Sequence, residues 1–158
     1  MDTHSKPFVS IILSTYNRKF FLENISLPSI IKQSYKDWEL IVVDDCSNDG
    51  TEDVINAFKN KINNLKYIKF TENKGYAETI NHGIQIANGD YIALLDADDA
   101  WLSNKLEEQI NFMVKNNVYA STCLTWEYDI TKNHLIGIAA VGLPGFIAKK
   151  EVFILIFP

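Results

Sequence analysis

The 158-residue sequence is poor in cysteine: Cys46 and Cys123 are the only two, so no disulfide framework carries the fold. Both read as free thiols of a reducing compartment. Long hydrophobic runs are missing as well, and no stretch reaches the roughly 18 apolar residues a membrane span needs. The polar start, residues 1–7, lacks the apolar core of a signal peptide. These absences predict a cytoplasmic chain without a transmembrane segment. Excess positive charge is absent too. A net charge of −5 offers no basic field to phosphate backbones, which argues against nucleic acid as a partner. No glycine-rich dinucleotide fingerprint follows the first apolar run, and no phosphate-loop motif occurs, so hydride transfer and P-loop chemistry lose support. The three histidines are scattered: His4 in the tail, His82 in a helical stretch, His134 at the start of a strand-like one. They read as surface residues and make no Ser-His-Asp arrangement.

What remains is ordinary for a folded domain: 47% hydrophobic and 22% charged residues, with no repeats or low-complexity segments. Residues 8–14 (FVSIILS) and 39–45 (ELIVVDD) are apolar almost throughout, as parallel strands covered on both faces are. Residues 66–70 and 90–95 read as two further strands. Between them lie helical patterns: Leu22, Ile25, Ser29 and Ile30, with Pro28 as a kink or boundary; Val54, Ile55, Phe58 and Ile62, capped by Thr51; Ile80, Ile84 and Ala87, ended by a left-handed Asn88 or Gly89; and residues 101–115. This alternation specifies an α/β fold, an open and mostly parallel sheet with helices on both faces.

Beyond Asn117 the pattern changes. Residues 119–130 and 134–141 read as an antiparallel hairpin, and Gly142, Pro144 and Gly145 then break the chain. The run Val152, Phe153, Ile154, Leu155, Ile156 and Phe157 is uniformly apolar, which predicts self-association or contact with a membrane surface. The whole reads as one domain cut short.

Ligands of a parallel α/β sheet collect at the carboxyl ends of its strands. Three strands here end in polar clusters: STYN at 14–17, DDCSNDG at 44–50 and DADD at 96–99. Carboxylates crowded on one rim repel each other unless a cation joins them. Mg2+ or Mn2+ suits hard oxygen ligands, with phosphates completing the shell. Extended backbone would send Asp96 and Asp98 to one side and Asp99 elsewhere. Aspartate is also a common turn former and helix cap, and Asp49 and Asp99 read that way. Asp45 and Asp98 each follow a buried strand at the rim and read as functional.

The runs VSIILSTYN (9–17) and ELIVVDDCSNDGT (39–51) resemble the opening of family 2 glycosyltransferases. NKG (73–75), NHG (81–83), NGDY (88–91) and LDADD (95–99) continue the resemblance in order and spacing over about residues 7–117. It implies a GT-A fold and inverting transfer of a sugar from a nucleotide diphosphate, with a UDP-sugar as the donor class expected of the family. Residues 7–117 would then form the nucleotide-sugar-binding part and residues 118–158 the start of the acceptor side. Carried over position by position, Ser14, Thr15 and Tyr16 would hold the base, with the Tyr16 ring available for stacking. Asp45 would accept a hydrogen bond from the base, Asp96 would lie near the ribose, and Asp98 would bind the metal bridging the diphosphate.

The sequence also departs from the family. Many relatives carry an arginine where this chain has Ile80; Lys74 is the candidate to compensate. The segment 143–153 resembles the entry to the acceptor half, and the family's general base normally follows it. Glu127 and Asp129 come too early for that role and read as strand-edge charges. The catalytic base is therefore unassigned, and the acceptor, a glycan or a lipid-linked sugar, is open. The alternative reading is a donor-binding module without turnover. A phospho-receiver domain would need an acidic pair after its first strand, where this chain has STYN.

Overall fold

The computed structural model describes residues 6–129, 131–132, 134–139 and 145–152. The chain opens with β1 (Val9–Thr15), followed by a short helical segment: α1 (Lys19–Phe21), a π-helical turn (Leu22–Ser26) and α2 (Leu27–Ile31). Pro28 sits in the first turn of α2, directly after the π-helical turn, at the helix boundary expected of it. Next come β2 (Trp38–Asp44), α3 (Thr51–Phe58), β3 (Leu65–Lys69), α4 (Tyr76–Ile86), β4 (Tyr91–Asp96) and α5 (Lys105–Asn116). After α5 the chain forms β5 (Ala120–Ser121), β6 (Thr125–Asp129), β7 (His134–Ala139) and β8 (Ile147–Lys149).

Six strands share one sheet in the order β3-β2-β1-β4-β8-β5. β3, β2, β1 and β4 run parallel, and β8 joins β4 antiparallel. The uninterrupted apolar strands have the cause expected of them, since every residue of β1 is buried. On one face Ile11, Leu13, Leu40, Val42 and Leu95 pack with α2, α3 and α5 through Ile30, Ile55 and Ile110. On the other, Ile12, Ile41, Val43 and Leu94 pack with α4 through Ile80 and Ile84.

Four local expectations are corrected. Thr51 is the first residue of α3 rather than its cap: Gly50 occupies the cap position at φ 88°, and Asp49 Oδ1 accepts both the Thr51 N–H (3.0 Å) and its hydroxyl (2.7 Å). α4 ends without a left-handed residue; Ala87 turns extended at ψ 139°. Gly89 is needed for room instead, because a Cβ there would lie 2.5 Å from the Ser10 amide nitrogen. Trp101 precedes α5, which starts at Lys105. The strand expected over residues 119–130 is two pieces: β5 pairs with β8 in the main sheet, and among the described residues β6 pairs only with β7.

β6 and β7 do form the expected antiparallel hairpin, with an irregularity between Glu127 and Tyr128. Val152 is half-buried against the α4 face of the core. Phe153, Ile154, Leu155, Ile156 and Phe157, the rest of the apolar run, lie outside the described residues. Among the described residues no helix is long and apolar enough to cross a membrane.

Candidate functional site

β1 lies between β2 and β4, so the chain leaves it towards β2 on one side and returns as β4 on the other. Such a reversal opens a crevice at the strand carboxyl ends. Register brings the polar clusters level there: Ser14 faces Asp96, and Thr15 faces Asp44.

The loops after β1 and β2 are stitched together. The Asn17 N–H donates to Ser47 Oγ (2.8 Å), and Asn17 Oδ1 accepts the Asn48 N–H (2.9 Å). The Lys19 N–H donates to Asp49 Oδ2 (2.8 Å). Asn17 and Cys46 take positive φ values of 51° and 69° to allow these contacts. Asp44 is fully buried and accepts the Ser47 N–H (2.8 Å) and the Tyr67 hydroxyl (2.6 Å). Burial, reinforced by that carboxylate, pushes the Tyr67 phenol well above its ordinary value. Asp49 thus has the turn-forming role expected of it; its bonds to Lys19 and Thr51 outweigh its desolvation and hold its carboxyl below the ordinary value.

Asp45 is also buried, and both its oxygens are engaged. Oδ1 accepts the Lys74 N–H at 2.6 Å, and Oδ2 accepts the Gly75 N–H at 2.9 Å. Gly75 sits at φ 87°, a conformation that favours glycine, and begins the turn into α4. The carboxylate therefore fixes the β3–α4 turn at the rim. Lys74 contributes its backbone there, while its ammonium lies over the Phe70 ring at 5.3 Å.

Ser14 is likewise occupied. Its Oγ lies 2.6 Å from Thr79 Oγ1, whose proton goes to the Tyr76 carbonyl (2.6 Å), so Ser14 donates. The bond ties α4 to β1. Thr15 is buried, and its hydroxyl has no hydrogen-bond partner among the described residues. The Tyr16 ring is 49% exposed on the rim, open to a stacking partner.

The end of β4 is where charge accumulates. β4 stops at Asp96, and the Asp99 N–H closes a turn onto the Asp96 carbonyl (3.1 Å). That turn replaces the extended backbone expected to set Asp96 and Asp98 on one side and Asp99 elsewhere, so Asp99 joins the cluster. Burial first, and then the charges of Asp96 and Asp98, push the Asp99 carboxyl up to about 6. Asp96 is raised by burial and by Asp98, partly offset by the Tyr76 hydroxyl donating to it. Tyr76 itself is pushed up by burial and by that carboxylate. Asp98 is the exposed member, and the Arg18 Nε approaches its Oδ2 at 3.6 Å.

This arrangement fits a divalent cation held by few protein ligands. Among the described residues no group of three or more metal-binding side chains converges. Asp98 offers oxygen to solvent, repelled by its neighbours and already paired with a cation in the form of Arg18. A carboxylate of this kind, with phosphate and water completing the shell, is how Mg2+ or Mn2+ is commonly bound. Tyr76 and Arg18 are the two rim residues that sequence reasoning missed. Arg18 directly follows the STYN run and is the only arginine in the chain, which was the available signal. Ile80, in place of the family's arginine, is buried in the core and cannot reach the rim.

The profile of glycosyl transferase family 2 matches residues 10–146. A putative teichuronic acid biosynthesis glycosyltransferase of Bacillus subtilis is 33% identical over 160 residues, covering 88% of this chain and 63% of that protein. A UDP-Glc:alpha-D-GlcNAc-diphosphoundecaprenol beta-1,3-glucosyltransferase of Escherichia coli is 38% identical over 128 residues, covering 81% of this chain and 48% of that protein. The chain thus spans roughly half to two thirds of the length of these relatives. Among solved structures, a mannosyltransferase from Pyrobaculum calidifontis in complex with GDP-Man and Mn2+ superimposes with a TM-score of 0.77 at 23% identity, over 98% of this chain and 48% of that one. The fold is that of the GT-A glycosyltransferases.

Proposed function

The chain belongs to glycosyl transferase family 2, and from that membership we propose that it binds the donor in a metal-assisted, inverting sugar transfer. The donor is a nucleotide diphospho-sugar, with UDP as the nucleotide. The observation that carries this reading is the rim itself. At the β1/β4 crevice an exposed aromatic, Tyr16, stands at one end and an acidic cluster at the other. The named donor of the Escherichia coli relative supports UDP, and the Mn2+ of the mannosyltransferase complex supports the metal.

In this reading Tyr16 stacks on the base and Thr15 lines the pocket beneath it. Asp45 shapes that pocket through the turn it holds and presents its remaining lone pairs to the base. Ser14 positions α4 under the nucleoside, and the Lys74 ammonium flanks the site. Asp96, steadied by the Tyr76 hydroxyl, faces the ribose. Asp98 holds the metal. A divalent cation bound there supplies charge neutralisation to the departing diphosphate. The acceptor hydroxyl attacks the anomeric carbon from the opposite face, its proton passing to a base, and the bond to the diphosphate breaks. The acceptor class is a glycan or a lipid-linked sugar, as the diphosphoundecaprenol substrate named for one relative supports.

Calorimetric titration of UDP with and without Mn2+, and of GDP in parallel, tests the reading. Metal-dependent binding of UDP, lost in Asp98→Ala, is expected. UDP affinity indifferent to metal, or unchanged by the substitution, overturns the assignment of Asp98.

A further inference from the structure

Arg18 has a use beyond the contact in which the structure records it. Its backbone is fixed from both sides: the neighbouring Asn17 and Lys19 amides are bound to Ser47 and Asp49, and its own carbonyl accepts the Leu22 N–H (3.0 Å). The side chain therefore leaves a rigid point on the β1 rim. It crosses towards the β4 rim, with the Phe21 ring 5.9 Å from the guanidinium carbon, and meets Asp98. Arg18 and Asp98 are 50% and 48% exposed at their side chains, and their 3.6 Å approach is long for a hydrogen bond. The pairing is weak, screened and easily exchanged.

We propose that Arg18 is a placeholder cation, which neutralises Asp98 until a metal-nucleotide complex arrives and then passes to the donor diphosphate. The inference rests on the assignment of Asp98 to the metal. A guanidinium and a divalent cation compete for one carboxylate, and the doubly charged ion wins on Coulomb energy. The displaced guanidinium stays tethered to the β1 rim. Its planar fork matches phosphate oxygens, and the incoming diphosphate is the nearest new anion. Of the other cations near the rim, the Lys74 ammonium is drawn aside over Phe70, and the Lys19 ammonium lies beside Gly50 on the β2–α3 loop. Arg18 thus acts as a donor-binding residue, and its present contact keeps the acidic cluster from repelling the donor.

Mn2+ binding, read from the paramagnetic signal of the free ion, tests this in the full chain without turnover. Without nucleotide, Arg18→Gln is expected to bind Mn2+ about two- to fivefold tighter than the parent, because the competitor is gone. With Mn2+ saturating, the same variant is expected to bind UDP about tenfold more weakly while uridine affinity holds. Arg18→Lys, which keeps the charge but not the fork, is expected to fall between. If Asp98→Asn abolishes Mn2+ binding while Arg18→Gln alters neither affinity, the exchange is refuted and the metal assignment stands. If Asp98→Asn leaves Mn2+ affinity intact, the metal assignment fails and the exchange fails with it.

Discussion

Asp45 gives the sharpest test of how the rim is held, because its structural contacts are fully specified. Replacing it with asparagine preserves shape but removes the charge and one acceptor. The amide oxygen can keep either the Lys74 or the Gly75 N–H, now 2.6 and 2.9 Å from the carboxylate. The other N–H then faces the amide's own NH2 group. Leaving one buried donor without a partner costs about 1–3 kcal/mol, and the surviving bond loses its charge assistance, about a further 1 kcal/mol. Partial access of water to the turn relieves some of this. The expected loss is about 2–3 kcal/mol.

Urea denaturation followed by tryptophan fluorescence reads that loss as a midpoint lower by about 1 M, given slopes of 1–3 kcal/mol/M. Amide exchange adds a local readout: the Lys74 and Gly75 N–H groups should lose protection before the sheet does. The design separates two roles for Asp45. A carboxylate serving only the nucleotide would weaken nucleotide binding in the asparagine variant and leave the unliganded chain as stable as before. An unchanged midpoint with both amides still protected refutes the structural reasoning.

Two further outcomes follow from buried groups elsewhere. The Lys105 ammonium is buried without a hydrogen-bond partner among the described residues, 4.0 Å over the Trp101 ring, and burial lowers its pKa to about 7. The unfolded chain holds that proton up to about pH 10.4, so stability should rise with pH between about 7 and 10. Lys105→Met should flatten this slope and stabilise the chain below pH 7, on the order of 2 kcal/mol; thermal melts at pH 6 and 9 that match the parent refute it. Gly89→Ala should cost about 2–3 kcal/mol, because the new Cβ would meet the Phe8 carbonyl oxygen at 2.8 Å as well as the Ser10 nitrogen. A melting temperature equal to the parent's refutes that close approach.

The parts of the fold legible in the sequence were those whose cause is local or repeated. β1, β2 and β4 are buried on both faces, and such strands leave long apolar runs. α3, α4 and α5 each bury one stripe, which leaves a helical period. What escaped depended on distant partners. β5 and β8 are two and three residues long, and they are strands only because β8 finds the free edge of β4. The start of α3 misled for a related reason: threonine commonly caps helices, but Asp49 was already placed to bind its amide and hydroxyl.

The site divides along the same line. Composition alone marks the rim as acidic, yet it cannot separate Asp44 and Asp45 from Asp98. What separates them is how many donors the fold turns towards each. Asp44 receives an amide and a phenol; Asp45 receives two amides of the turn leading into α4. Both are buried, and their acceptor capacity is spent largely on joining β2 to its neighbouring loops. Asp98 is exposed and meets one loosely held guanidinium. The carboxylates at the end of β2 are thus satisfied by hydrogen bonds from the scaffold, while Asp98 at the end of β4 is left open to solvent. In the proposed reading that asymmetry orients a ligand with one neutral, stackable end and one anionic end, its ring towards Tyr16 and its phosphates, with their cation, towards the β4 turn.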